Sequence, residues 1–69
     1  MIALHRLGHA DERVLVNPDL IAFVEANPDT VVTLTTERRI VVAEAPDEVV
    51  EAVREWRVAI LADALKRRR

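Results

Sequence analysis

Val16-Asn17-Pro18-Asp19-Leu20-Ile21-Ala22-Phe23-Val24 opens a phrase that returns ten residues later as Asn27-Pro28-Asp29-Thr30-Val31-Val32-Thr33-Leu34. Each copy reads as a turn followed by an apolar run. Proline sets φ near −65°, which suits the second position of a turn, and Asn or Asp side chains close such turns by bonding back to the backbone. Asn17, Pro18 and Asp19, and likewise Asn27, Pro28 and Asp29, are therefore expected to be structural corners. Asn17 and Asp29 in particular are expected to matter for folding. Between the corners, Leu20 to Glu25 fits helix or strand on pattern alone. Six residues bounded by prolines are too few for a stable helix, and Ile, Phe and Val favour a strand.

Outward from this stretch the same period continues. Ile2 to Leu7 reads as a strand with Ile2 and Leu4 on one face, Gly8 to Glu12 as a polar loop, and Arg13 to Val16 as a second strand. Thr30 to Thr35 is the clearest strand. Thr36-Glu37-Arg38 turns the chain, and Arg39 to Ala43 returns as a fifth strand. Closely spaced strands with short connections point to an antiparallel meander. The period then changes. Ala45-Pro46-Asp47-Glu48 is a helix start, with proline at the first helical position and acids where the dipole favours them. Val49, Val53, Trp56 and Ile60 follow on one helical face, and Lys66 to Arg69 place positive charge at the far end. The expected class is α+β: one domain over residues 1–69, a small antiparallel β-meander of about five short strands in 1–45, then one long C-terminal α-helix over 46–67.

Two features of the pattern bear on function. Val31-Val32 and Ile40-Val41-Val42 place aliphatic groups on both sides of the sheet, whereas a sheet with one wet face usually alternates. The helix can cover one face only. That helix is also too long for the sheet: 22 residues span about 33 Å, against about 17–20 Å for strands of five or six residues. Its distal half, Val58-Ala59-Ile60-Leu61-Ala62, is apolar on every side and needs burial. Val53, Trp56, Ile60, Leu61 and Leu65 are the candidate interface, with a second copy of the chain or another protein as the partner. Trp56 is also the simplest core residue of its face.

Composition narrows the chemistry. A chain of 69 residues is small for a self-sufficient core. It has no cysteine to staple it, and 51% of its residues are hydrophobic, nearly all aliphatic. Self-association or partner binding is the natural cover for that excess. The net charge of −2 disfavours general nucleic-acid binding. No run is long enough to span a membrane, no signal peptide is read at the start, and cysteine-free composition fits the cytoplasm. No catalytic set emerges, since serine and cysteine are absent and no glycine-rich phosphate loop is present. His5, His9 and Asp11 carry imidazole and carboxylate groups that suit zinc, but an ordinary solvated loop is the better reading. No metal, cofactor or enzymatic activity is expected. Lys66, Arg67, Arg68 and Arg69 form a basic tail open to peripheral contact with an acidic partner or anionic lipid, although a solvated helix end is the better reading.

Several segments together resemble the FlbD family of small bacterial flagellar proteins, also called SwrD. They are Met1-Ile2-x-Leu4-x-Arg6-Leu7, Asn17-Pro18-Asp19-Leu20-Ile21, Pro28-Asp29-Thr30-Val31-Val32-Thr33-Leu34, Val42-x-Glu44 and Glu48-Val49-Val50. The order and spacing of these pieces carry the likeness, from Met1 to about Val53. Three departures stand out. The first loop is a residue or two longer, Thr36-Glu37 replace Asn-Gly at the hairpin, and Ala45 replaces a serine that would cap the helix. The wider hairpin turn and weaker cap follow from those changes. The resemblance implies a cytoplasmic, non-enzymatic flagellar accessory that supports motility and swarming, promoting motor (stator) power through protein–protein contacts, and the uncovered helix adds the expectation of a homo-oligomer. The alternative is a small nucleic-acid-binding regulator of flagellar genes, since a sheet of this kind loosely resembles LytTR-type DNA-binding domains.

Overall fold

A computed structural model describes residues 1–67 of the chain. Five antiparallel strands precede one long helix: β1 (Ile2–Arg6), β2 (His9–Val16), β3 (Ile21–Ala26), β4 (Thr30–Leu34), β5 (Arg39–Val42) and α1 (Pro46–Arg67). The α+β class and the helix limits agree with the sequence pattern. The order across the sheet is β2-β1-β5-β4-β3. This is the cyclic order of a meander whose ends have joined between β5 and β1 and which has opened between β2 and β3. The join is held by backbone bonds from Leu7 N–H to Val41 O (3.1 Å) and from Ala43 N–H to His5 O (2.7 Å).

The two Asn-Pro-Asp phrases are both corners, but they differ in conformation. The first forms a short 3-10 helix, Pro18–Leu20, with Asn17 Oδ1 accepting from Asp19 N–H at 3.1 Å. Leu20 thus belongs to the corner, and β3 begins one residue later than its composition indicated. The second links β3 to β4 with a cis Asn27–Pro28 peptide, and Asn27 N–H bonds to Asp29 O at 3.0 Å.

The expected polar loop at Gly8 to Glu12 is replaced by a tight turn at Leu7-Gly8 and a longer β2. Register passes from His5↔Arg13 directly to Arg6↔His9, so the additional residues form a bulge in β2. Gly8 has φ +81°, a conformation natural to glycine, which lacks Cβ. The bulge is bridged by Arg6 Nε and Glu12 Oε1 at 3.0 Å. Charged side chains offset the loss of regular pairing here, which the loop reading overlooked.

At the β4–β5 hairpin the loop holds Thr35, Thr36 and Glu37. Glu37 N–H donates to Leu34 O (2.9 Å), Leu34 N–H donates to Arg38 O (2.8 Å), and Glu37 takes φ 72°. This is the arrangement of a three-residue hairpin loop ending in a left-handed residue. The expected widening is present, and Glu37 occupies a conformation that glycine or asparagine would hold at lower cost.

The core lies between one sheet face and the first half of α1. Ile2, Leu4, Val16, Val32, Ile40, Val42 and Val49 are buried, with Ala52, Val53 and Trp56 packed against them. Ala45 accepts from the Glu48 and Val49 N–H groups (2.9 and 3.1 Å), and Glu48 Oε1 accepts from Ala45 N–H at 2.9 Å. Half of a capping box is therefore built, while the other half, a side-chain oxygen at residue 45, is absent.

Candidate functional site

Strand alternation places Val32, Ile40 and Val42 inward and Val31, Thr33, Val41 and Arg39 on the opposite face. Register aligns Glu25 with Val31 and Val31 with Val41, and the Leu7–Val41 backbone bond extends the row toward β1. Leu7, Val31 and Val41 thus form an apolar band on the side away from α1. Leu7 and Val41 are exposed and Val31 half-buried. Phe23 pairs with Thr33 and is 64% exposed. Beside it, Ala22, Glu25, Thr33 and Arg39 line an open hollow. Thr33 Oγ1 is buried there without a hydrogen-bond partner. The exposed Phe23 ring therefore lies beside the opposite charges of Glu25 and Arg39, while the Thr33 hydroxyl is closed off beneath them.

The second uncovered region is the far half of α1. Val49 is fully buried, Val53 and Trp56 are half-buried against the core, and every described residue from Arg57 onward is exposed. The helix meets the corner before β3 at Arg57, whose Nη2 lies 4.0 Å from Asp19 Oδ1. Beyond that point it projects from the sheet, giving the molecule a longest dimension of 46 Å. Among the candidate interface residues, Val53 and Trp56 therefore face the sheet, whereas Ile60, Leu61 and Leu65 are open. Val50 and Val58 are also open; Val58 belongs to the apolar run that the sequence marked as needing burial, whereas Val50 had no such mark. Their helical positions relative to Leu61 and Leu65 were the available signal. Phe23, Leu7 and Val41 were likewise unassigned, because strand partners decide what shares a face with them.

The third feature is a clasp between β1 and the segment leading to α1. His5 N–H donates to Glu44 Oε1 at 2.9 Å, and the His5 ring Nδ1 lies 2.6 Å from Glu44 Oε2. An ionised carboxylate only accepts, so Nδ1 carries the hydrogen in this pairing. Burial alone raises the Glu44 carboxyl, but the side-chain and backbone hydrogen bonds from His5 together outweigh it, and the net direction is below the usual glutamate value. His5 is thus engaged with Glu44 instead of joining His9 and Asp11. Among the described residues no group of three His, Cys, Asp or Glu side chains is placed to hold a metal ion. Lys66 and Arg67 are exposed at the end of α1, with Arg67 Nε 3.3 Å from Asp63 Oδ2. Arg68 and Arg69 lie outside the described residues. Among those residues, no helix is long and apolar enough to cross a membrane.

Comparison with known proteins returns no match among curated proteins and none among solved structures. The family model for FlbD, flagellar and swarming motility proteins, matches residues 1–61, which takes in the sheet, the His5–Glu44 clasp and most of α1. The chain belongs to the FlbD family of flagellar and swarming motility proteins.

Proposed function

We propose that this protein is a non-enzymatic cytoplasmic accessory of the flagellum that supports motor power by protein–protein contact. The observation that carries the reading is the uncovered apolar face of the sheet, where Phe23, Leu7 and Val41 remain exposed although the fold is complete. Such a face, bordered by Glu25 and Arg39, offers both apolar area and charged groups that fix orientation. A stator or motor protein is the partner this role calls for. Family membership supports the motility setting.

Deletion of the gene should slow swarming and lower the torque of tethered cells while filaments still assemble. Because their side chains are exposed, Phe23→Asp combined with Val41→Asp should reproduce that loss with the purified protein still folded by circular dichroism. Torque unchanged on deletion would remove the motor role. Torque lost on deletion but retained in the double variant would move the contact off this face.

A further inference from the structure

We propose that α1 forms an antiparallel pair with α1 of a second copy of this chain, through a stripe on the side of the helix away from the core. At 100° per residue, Val50, Val58, Leu61 and Leu65 fall within one quadrant, whose centre lies roughly 140–160° around the axis from Val49 and Trp56. All four are 58–62% exposed, so the stripe runs free along both the sheet-covered half and the projecting half. Arg54 interrupts it, and its aliphatic stem can lie along a facing leucine while the guanidinium stays in water.

Charge selects the occupant and its direction. Residues 46–56 carry Asp47, Glu48, Glu51 and Glu55 against Arg54 alone. Residues 57–67 carry Arg57, Lys66 and Arg67 against Asp63 alone. The helix is therefore acidic in its first half and basic in its second. A parallel copy sets like halves together, whereas an antiparallel copy sets each basic last turn beside its partner's acidic first turns. The same arrangement opposes the two helix dipoles. It puts Val50 beside the partner's Leu65, with Val58 of both copies near the twofold axis. Such an isologous contact closes on itself and stops at two chains. It leaves the outer sheet face free, so it stands apart from the motility role.

Sedimentation equilibrium of the full chain should give twice the chain mass, and Leu61→Glu should return it to the monomer with an unchanged circular dichroism spectrum. Since the natural chain has no cysteine, disulfide mapping is clean and tests direction even if Leu61→Glu fails to fold. Mixing Val50→Cys and Leu65→Cys chains under mild oxidation should yield mainly the mixed disulfide. A monomeric natural chain, a dimer that survives Leu61→Glu in folded form, or disulfides only between identical chains would overturn the proposal.

Discussion

At the scale of single residues, Glu44 has the most to lose from a small change. Its two oxygens hold both the backbone and the ring of His5, tying the connection before α1 to β1 across 39 positions of sequence. Charged acceptors make stronger hydrogen bonds than neutral ones. Glu44→Gln keeps the size but weakens both bonds, and a loss of about 1–2 kcal/mol is expected. Urea titration at neutral pH measures it directly. The pH dependence follows from the sign of the shift. Glu44 binds its proton more weakly folded than unfolded, so its contribution is fully present above its ordinary value near 4.5 and fades as pH falls through the lowered folded value. Glu44→Gln should flatten the stability profile across that acid window. An unchanged slope would show that the clasp is not formed in solution.

At the scale of elements, α1 shows how a helix can be well begun and poorly finished. Pro46 and the acids of the first turn fit their positions, and Glu48 returns to the Ala45 N–H at 2.9 Å. The missing piece is a side-chain oxygen on residue 45. Ala45→Ser completes the capping box and should stabilise the protein by about 1 kcal/mol. For a domain of this size that corresponds to a rise in Tm of roughly 4–8 °C, readable by thermal circular dichroism. No rise would mean that the serine oxygen does not reach the free N–H groups of the first turn. Past Trp56 every described residue of the helix is exposed, and none of its aliphatic side chains belongs to the core of a single chain.

At the scale of the whole molecule, a narrow core holds six elements together. Leu4 is 1% exposed on β1, the strand that lies between β2 and the central β5. Leu4→Ala should cost about 2–5 kcal/mol. A chain of this length has roughly 3–10 kcal/mol in total, so the variant should be largely unfolded or shifted to a much lower urea midpoint. A midpoint close to that of the natural chain would mean the β1–β5 junction contributes less than its burial indicates.

The residues by themselves determined the local structure and much of its limits. A change from period two to a helical period placed α1, the Asn-Pro-Asp phrases placed both corners, and the family pattern placed the chain among motility proteins. These signals are local or ordered along the chain, so they survive without knowledge of contacts. Tertiary structure decided the rest. The β1–β5 pairing joins residues far apart in sequence, and a two-residue alternation does not say which strands are neighbours. The same uncertainty hid that Leu7 joins Val31 and Val41 in one band, although aliphatic groups on both sides of β4 and β5 were legible. Between residues 9 and 12, polar side chains indicated a loop, but pairing with β1 drew them into a bulged strand. The repeated Asn-Pro-Asp phrase took two backbone forms because one copy spans the open gap between β2 and β3, while the other closes a hairpin.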